Sequence, residues 1–495
     1  MPPPIHDLVF RGARVIDPET GLDDIRDVGV TGRSITAVAL ESEAVVGRTD
    51  VAATRQVLSP GFIDLHSHCR DLPSLWLRAC DGVTTALELE AGELDVAHAY
   101  RSAADEGWPI NHGFSASWAL ARMATCGLHV SPDVDSFSAH VGAATWHRPL
   151  GKVEQQRMLD LLRGDLAAGA LGIGVLLGYC EESDAAEYVA VATLAAANGV
   201  PTFTHVREPP RRDYGLIGAQ EVVAAALATG AHMHLCHVNS TSTRHIDQVH
   251  ALIDRARDHG LRITTEAYPY GAGATAIGAA FLDPAYLVRV GMSPTDICYL
   301  PTGERPRTPE RLAQLRRDDP GGMAVIDFLD ETDAGDLGCL TRALLADDTA
   351  VASDAMPLVV PHRDRDREPQ WPLATDLMTH PRTAGTFSRV LRWYVRELGV
   401  LALPEAVRRC TLVPAQILAA VAPDMARKGR VQVGADADLV VFDPTTVADR
   451  ATYAQPVLTP VGMGHVLVGG EFVVRDGTLD PTVRPGRAVR GAAAG

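Results

Sequence analysis

The chain has 495 residues, 46% of them hydrophobic, so it can bury a large core and is long enough for roughly two domains. Its formal charge of −17 comes from interspersed acidic residues and disfavours nucleic acid or anionic membranes as partners. The eight cysteines lack paired spacing, which is typical of reduced thiols. With neither a signal-peptide pattern nor an apolar stretch long enough to span a bilayer, we expect a cytoplasmic enzyme-sized protein.

Both ends of the chain carry β-strand patterns. Residues 8–57 alternate apolar and polar positions between Pro and Gly turn signals, which predicts short antiparallel strands. Similar patterns return at 434–444 and 465–474, whereas 490–495 has the composition of a frayed tail. Two β segments flanking a long middle predict one small β-sandwich domain, formed by residues 1–57 and 418–495.

The middle of the chain, 58–417, alternates apolar β-rich runs with amphipathic helical stretches. This is the pattern of βα units that close into a TIM-type (β/α)8 barrel, so we predict an α/β fold. A Pro-, Gly- and charge-rich interval from 280 to 338 is expected to be an insertion at the barrel mouth. The eight strands are predicted at 58–66, 83–90, 109–116, 171–177, 200–206, 232–238, 262–269 and 350–354. The clearest helices are predicted at 153–166, 185–197, 219–228 and 244–258.

Histidines follow several of the predicted strands. His66 and His68 are two positions apart at the end of the first strand, so both can face the same side. His205 and His237 end the fifth and sixth strands, and neutral imidazoles suit zinc and related metals. A lone histidine at a strand end is more often a polar cap than a ligand. Because barrel strands all end at one mouth, the set together predicts a metal site.

Carboxylates complete this candidate site. Glu88 and Glu90 lie on one face of an otherwise apolar second strand, where burial is costly unless they bind a cation or pair with arginines. Glu90 is the predicted ligand because it is nearer the mouth, and Glu88 is the alternative. Asp354 ends the eighth strand and is a further candidate ligand, although an Asp after a strand is also a common helix N-cap.

The run Ser-Pro-Gly-Phe-Ile-Asp-Leu-His-Ser-His, which ends at His68, resembles the amidohydrolase superfamily when taken with the other strand-end ligands. Members hold one or two divalent metals in a (β/α)8 barrel beside a small β-sandwich. The resemblance implies that Asp354 is the general base that moves a proton from the activated water to the leaving group. Many members bridge their metals with a carbamylated lysine on the fourth strand. Here lysine occurs only at Lys152 and Lys428, so that bridge is excluded and the second strand supplies a carboxylate instead.

Further runs resemble the N-acyl-D-amino-acid deacylase, or D-aminoacylase, branch. The resemblance implies metal-dependent hydrolysis of an N-acyl amino acid, of D configuration, to a carboxylate and a free amino acid. Zinc is the implied metal, although manganese, nickel or iron would suit the same ligands. Arg382 matches a position that binds the substrate α-carboxylate, and Tyr268 matches its partner. The matching runs are 168–172, 266–274, 380–387, 449–453 and 485–487.

Three positions depart from this branch. The glutamate pair of the second strand replaces a cysteine that many members use to bind metal, Asn239 replaces a lysine, and Ala274 replaces a serine. Two contacts to the substrate carboxylate are thus missing, and Asn239, at the position of the lysine, is kept as a candidate substrate-binding residue. Arg207 could replace them, as could arginines in the run 363–367, and an acidic acyl-amino acid is one option. A solvated loop of alternating charge is the more common explanation of such a run.

Two rival functions remain open from the sequence. One is hydrolysis of a cyclic amide, as in dihydroorotase-like or hydantoinase-like members, which typically use the lysine that is missing here. The other is a metal-free barrel that acts as a binding module, in which some of the ligands should already have been lost. We expect a small-molecule partner and no macromolecular one except a second copy of the chain, since dimers are common among such barrels.

Overall fold

The computed structural model describes residues 5–40, 42–132, 135–361 and 368–492. No helix in these ranges is both long and apolar enough to cross a membrane. The strands are β1 (Ile5–Asp17), β2 (Leu22–Thr31), β3 (Ser34–Ala39), β4 (Val46–Ala52), β5 (Val57–Pro60), β6 (Phe62–Asp64), β7 (Val83–Glu93), β8 (Asn111–Ser117), β9 (Ile173–Leu176), β10 (Thr202–His205), β11 (Met233–Leu235), β12 (Ile263–Ala267), β13 (Ala272–Ala276), β14 (Ile297–Tyr299), β15 (Met323–Asp327), β16 (Thr349–Val351), β17 (Leu439–Phe442), β18 (Met463–Val468), β19 (Glu471–Arg475) and β20 (Thr478–Leu479).

The helices fill the intervals between the strands, and a π-helix, Val390–Glu397, continues the thirteenth. The α-helices are α1 (Leu72–Cys80), α2 (Val96–Glu106), α3 (Trp118–Thr125), α4 (Ser136–His140), α5 (Lys152–Ala167), α6 (Ala185–Ala197), α7 (Ile217–Thr229), α8 (Val238–Ser242), α9 (Ile246–Asp258), α10 (Pro284–Val290), α11 (Pro309–Asp318), α12 (Ala334–Leu345), α13 (Arg382–Arg389), α14 (Leu403–Cys410) and α15 (Leu412–Leu418).

Eight parallel strands form the barrel, in the order β16-β12-β11-β10-β9-β8-β7-β6. The two ends of this sheet meet where the amide of His68 donates to the carbonyl of Ala355 at 2.8 Å. Leu87, Leu89 and Phe203 belong to one buried apolar cluster, as expected for strands that are covered on both faces. The predicted (β/α)8 barrel is confirmed, with each strand within a few residues of its expected place.

Both chain ends contribute to one nine-stranded sheet, in the order β20-β19-β18-β17-β5-β1-β2-β3 with β4 beside β1. The predicted β domain from both ends is therefore confirmed, whereas its bounds, 1–57 and 418–495, and those of the barrel stay predictions. The expected antiparallel pairing is wrong for β4 and β5, which run parallel to β1. Both strands lie on the other edge of β1 from β2 and β3, which the chain reaches by a crossover and not by a hairpin, and a bulge at Gly12, where φ is 64°, divides that edge between β4 and β5.

The insertion between the last two barrel strands is folded. β13, β15 and β14 form a three-stranded antiparallel sheet, and α10 and α11 lie between its strands. β13 precedes residue 280 and pairs with β15, so this sheet begins at Ala272. The inserted residues therefore start directly after β12, at the end of the barrel where the strands finish.

The C-terminal segment crosses the opposite end of the barrel. The amide of Val489 donates to the carbonyl of His112 at 2.7 Å, and the Tyr100 hydroxyl donates to the Val489 carbonyl at 2.7 Å. The amide of Gly491 donates to Gly169 at 3.0 Å. The expectation of a frayed tail from 490 is therefore wrong as far as residue 492, and residues 493–495 lie outside the described ranges.

His112 gives this end of the barrel a testable pH dependence. Its ring is buried against Trp108, at 4.8 Å between ring centroids, and burial lowers its pKa to about 4. Between pH 6.5 and 4, His112 is protonated in the unfolded chain but stays neutral in the folded chain. His112 therefore lowers the stability of the fold as the pH falls through this range. As the pH falls over that range, the unfolding free energy of His112→Leu should rise relative to that of the wild type by up to about 1.4 kcal/mol per pH unit. Urea unfolding at a series of pH values measures this, and a difference independent of pH would contradict it.

Candidate metal centre

Side chains from five barrel strands meet at the mouth. The histidines and Asp354 lie at or just beyond the C-terminal ends of their strands and Glu90 lies near the end of β7, which is where a (β/α)8 barrel gathers residues distant in sequence. They are buried, except that His68 is partly exposed. The structure thus brings together all six sequence-predicted metal ligands, here termed the mouth cluster: His66, His68, Glu90, His205, His237 and Asp354.

Glu90 lies at the centre of the mouth cluster. Its Oε1 is 3.1 Å from His205 Nδ1 and 2.7 Å from His237 Nε2. Its Oε2 is 3.1 Å from His66 Nε2 and 3.7 Å from His68 Nε2. Each carboxylate oxygen therefore faces one pair of imidazoles, an arrangement suited to a carboxylate shared by two cations.

Each imidazole of the mouth cluster uses its other ring nitrogen for a hydrogen bond away from Glu90. Such outer partners fix the ring orientation and the tautomer of a metal ligand. The pairs are His66 Nδ1 with Glu266 at 2.6 Å, His68 Nδ1 with Glu88 at 2.8 Å, His205 Nε2 with Glu208 at 3.1 Å and His237 Nδ1 with Ser240 at 2.9 Å. Glu88 is thus placed to orient His68, and the geometry favours Glu90 as the ligand.

Glu266 was missed by the sequence prediction. It is buried, and its second oxygen accepts from His234 Nε2 at 3.1 Å, so it holds two histidines. The signal was present, because Glu266 is a carboxylate in a predicted buried strand, as Glu88 and Glu90 are.

Two members of the mouth cluster have backbone conformations that L-residues rarely adopt. φ is 31° at His237 and 54° at Asp354, both in the left-handed region. Such strain costs about 1–3 kcal/mol per residue and tends to concentrate at functional sites. Here it occurs at the ends of two strands, where it turns the side chains toward Glu90 and His66.

The charges of the site fit a bound cation. Burial would lower the pKa of His68, but Glu88 and Asp354 raise it to about 10. Burial would likewise lower the pKa of His205, but Glu208 and Glu90 raise it to about 9. The carboxylates thus require positive charge at the imidazoles. A divalent cation held by neutral imidazoles and Glu90 would satisfy this requirement, so the donor set fits zinc or a related metal.

Asp354 connects the histidines to the predicted substrate-binding arginine. Its Oδ1 is 3.4 Å from the Nε2 atoms of His66 and His68 and forms an ion pair with Arg382 Nη2 at 2.8 Å. The Arg382 guanidinium is buried and lies over the Tyr268 ring, 4.8 Å from its centroid. The helix N-cap reading of Asp354 is wrong, since residues 355–361 form no helix.

The other residues predicted to bind substrate, Arg207 and Asn239, make contacts within the protein and not with the mouth cluster. Arg207 donates to Glu221 at 2.9 Å and to the Glu181 carbonyl at 2.8 Å, so its guanidinium is held by the protein itself. Asn239 accepts from the Tyr268 amide at 3.2 Å and supports the backbone there. The arginines at 363, 365 and 367 lie outside the described residues.

The mouth cluster opens into a cavity of about 890 Å³. The barrel loops contribute Leu94 and Phe137 to its walls, and the inserted segment contributes Phe281 and Phe328. A cavity of this size, apolar with a few convergent polar groups, is typical of a site for a small molecule.

A buried ion pair beneath the cluster joins the elements that carry it. Arg78 Nη2 is 2.5 Å from Asp64 Oδ2 at the end of β6, and Arg78 Nη1 donates to the Thr383 carbonyl of α13 at 2.9 Å. Asp64 Oδ1 also accepts from the Ser353 amide at 2.9 Å. This network therefore holds the segments of His66, Asp354 and Arg382 against one another.

Removing Arg78 should be strongly destabilising. Arg78→Met leaves the Asp64 carboxylate buried without its partner, which should lower the free energy of unfolding by about 3–5 kcal/mol. The matched control is Arg163→Met, since the Arg163–Asp160 pair is exposed at 52% and 57% and should contribute at most about 1 kcal/mol. Urea unfolding measures both, and equal effects would contradict this account of the network.

The barrel and its converging ligands define a metal-dependent hydrolase of the type that activates water at the mouth of a (β/α)8 fold. The chain belongs to the amidohydrolase family, whose model matches residues 51–474. It is 31% identical to N-acyl-D-glutamate deacylase of Alcaligenes xylosoxydans xylosoxydans, over 98% of this chain and 96% of the relative. It is 27% identical to D-aminoacylase of the same organism, over 94% and 93%.

A solved structure of a deacylase is also similar to this chain. N-acyl-D-glutamate deacylase from Bordetella bronchiseptica, complexed with zinc and a phosphonate inhibitor that mimics the tetrahedral intermediate, matches with a TM-score of 0.76 and 26% identity. The match covers 98% of this chain and all of that one. The resemblance to the D-aminoacylase branch is therefore confirmed.

Proposed function

We propose that the protein hydrolyses the amide bond of N-acyl-D-amino acids to give a carboxylate and a free D-amino acid. The observation that carries this proposal is the position of Asp354 between His66 and Arg382, at 3.4 and 2.8 Å. A substrate whose α-carboxylate binds Arg382 would have its amide next to the mouth cluster. The names of the relatives support the D configuration.

In this proposal His66, His68, Glu90, His205 and His237 would hold one or two zinc ions, with Asp354 as a further ligand. When bound, the metal would polarise the scissile carbonyl and acidify the attacking water. Another divalent metal would suit the same ligands. The outer hydrogen bonds of the four imidazoles keep the nitrogens that face Glu90 free to coordinate.

Asp354 is proposed as the general base and acid. Burial alone would raise the pKa of Asp354, but the positive charges of Arg382 and His66 lower it by more than burial raises it. The carboxylate is therefore ionised at neutral pH. It can therefore take a proton from the attacking water and return it to the departing amine. Arg382 orients the substrate through its carboxylate, and Tyr268 packs against the guanidinium.

A substrate panel tests the function. Zinc-loaded protein is assayed with N-acetyl-D- and N-acetyl-L-amino acids bearing apolar, acidic and basic side chains, and release of the amino acid is quantified. We expect hydrolysis of D substrates. Hydrolysis of dihydroorotate or hydantoin alone would instead support the cyclic-amide rival, and protein that neither binds metal nor hydrolyses any substrate would support a binding module. A cytoplasmic location and a homo-oligomer stay predictions.

A further inference from the structure

One wall of the cavity is aromatic and lies directly beside the mouth cluster. The Tyr179 ring centroid is 5.0 Å from that of His205 and 5.0 Å from that of Phe281. Phe137 packs against Tyr179 at 5.2 Å, and Phe281 stacks on His205 at 5.8 Å. Phe137, Tyr179 and Phe281 all line the cavity and are here termed the aromatic wall. Because Phe137 and Phe281 are only half-buried, the wall leaves apolar surface open to the cavity.

Polar side chains that line the cavity near the aromatic wall have partners within the protein. The Tyr179 hydroxyl is 2.7 Å from Thr275 Oγ1. Ser117 Oγ accepts from an amide of α3 at 3.2 Å, and Asp135 accepts from the Ser138 amide at 3.0 Å. Removing water from half-exposed phenyl rings is favourable, so this side of the cavity favours an apolar ligand.

The barrel order indicates which part of the substrate reaches the aromatic wall. Tyr179 follows β9, which is opposite β16 in the eight-stranded barrel. Asp354 follows β16, and in the proposed function it returns a proton to the departing amine, so the amine lies on the β16 side. An amide is planar and trans, so its acyl chain points away from the substituent on its nitrogen. The acyl chain is therefore directed toward β9 and the aromatic wall.

The cavity is large for an acetyl group. Sites of about 300–1,000 Å³ hold drug-sized ligands, whereas N-acetylleucine has only about 12 non-hydrogen atoms. This cavity, at about 890 Å³, is near the upper end of that range. The inserted segment adds further apolar surface through Leu282 and Met292. An acetyl group would leave most of this apolar surface in contact with water.

We propose that the enzyme acts on N-acyl-D-amino acids whose acyl group is an alkyl chain of about six to ten carbons, bound along the aromatic wall. This inference rests on the proposed function and names its substrate class. The reaction is unchanged, since water adds to the carbonyl carbon, the C–N bond breaks and the amine receives a proton. The products are a fatty acid and a free amino acid.

Acyl chain length is tested first in the wild type. Zinc-loaded protein is assayed with the N-acetyl, N-hexanoyl and N-decanoyl derivatives of D-leucine and D-glutamate. Each buried methylene can raise kcat/KM about fourfold, so we expect a rise of at least about 30-fold from acetyl to decanoyl for the better amino acid. Values that stay level or fall with chain length overturn the proposal. A rise seen only on lengthening the side chain, from N-acetyl-D-alanine to N-acetyl-D-leucine, overturns it as well.

Phe137→Ala tests the assignment of the chain to the aromatic wall. The variant loses apolar surface that the chain would contact, so its decanoyl-to-acetyl ratio of kcat/KM should fall at least about tenfold. The matched control is Phe328→Ala, which alters another half-buried phenylalanine of the cavity, 6.4 Å from the Tyr268 ring that follows β12. Its ratio should change less than about threefold, and an equal fall in both variants overturns the proposal. If Phe137→Ala does not fold, Phe281→Ala replaces it with the same expected ratio.

Failure of the proposed function would be seen separately. If the wild type hydrolyses none of these compounds, that function fails, and calorimetry with decanoate and hexanoate still decides whether the wall binds an alkyl chain. Decanoate should bind at least about 30-fold more tightly than hexanoate, with a preference that falls at least about tenfold in Phe137→Ala and is kept in Phe328→Ala. Equal affinities, or no binding of either acid, overturn the proposal.

Discussion

Asp354→Asn should lower kcat by about 10²–10⁴-fold, because an amide of the same shape cannot accept the proton of the attacking water. The variant should still bind metal, since the four imidazoles and Glu90 remain. It should also keep a contact with Arg382, because the amide oxygen can replace Oδ1, which is 2.8 Å from Nη2. Steady-state kinetics with the best substrate of the panel and metal content per chain measure the two effects together.

The matched control for this variant is Asp319→Asn. Asp319 lines the same cavity but accepts from the Tyr299 hydroxyl, away from the mouth cluster. Its kcat should change less than about threefold. If Asp354→Asn keeps wild-type kcat, Asp354 is not the base. If the variant loses both its activity and its metal, the main role of Asp354 is that of a metal ligand.

Glu90→Gln should reduce metal affinity by more than about 100-fold. Losing a residue that only orients a ligand can already reduce metal affinity by about 100-fold, and Glu90 is itself a proposed ligand. The physical reason is the loss of the charge at the centre of the cluster. Each Glu90 oxygen faces two imidazoles, and a glutamine would turn an N–H group toward one of these pairs. Titration with zinc followed by elemental analysis measures the effect, and activity should fall in parallel.

Glu88→Gln is the matched control for Glu90→Gln, since it alters a neighbouring carboxylate on the same strand. Glu88 contacts His68 Nδ1 at 2.8 Å, on the outer side of the ring, so its loss should reduce metal affinity by about 10–100-fold at most. Should Glu88→Gln be the more damaging of the two, the assignment of ligand and outer partner would have to be exchanged.

The ligands could be predicted from sequence because a parallel barrel brings the C-terminal ends of all its strands to the same mouth. His66, His205, His237 and Asp354 follow or end a strand and Glu90 lies near the end of one, so a parallel barrel must bring them to one mouth. No distance had to be known. The same argument could have found Glu266, had its burial been weighed as that of Glu90 was.

Other features depend on tertiary contacts that no local pattern contains. The direction of the Arg207 side chain is set by Glu221 and by carbonyls of the preceding loop, so its motif beside His205 was misleading. The pairing of Arg78 with Asp64 joins positions whose relation depends on helix packing. The parallel pairing of β4 with β1 similarly depends on the crossover that carries the chain from β3 to the other edge of β1.

The central claim is that the mouth cluster binds a cation, and X-ray diffraction at the zinc absorption edge from crystals of the zinc-loaded protein tests it most directly. We expect anomalous density beside Glu90, with His66, His68, His205 and His237 nitrogens about 2.0–2.1 Å from zinc. Active crystals without density at these residues, or with zinc bound elsewhere, would contradict it.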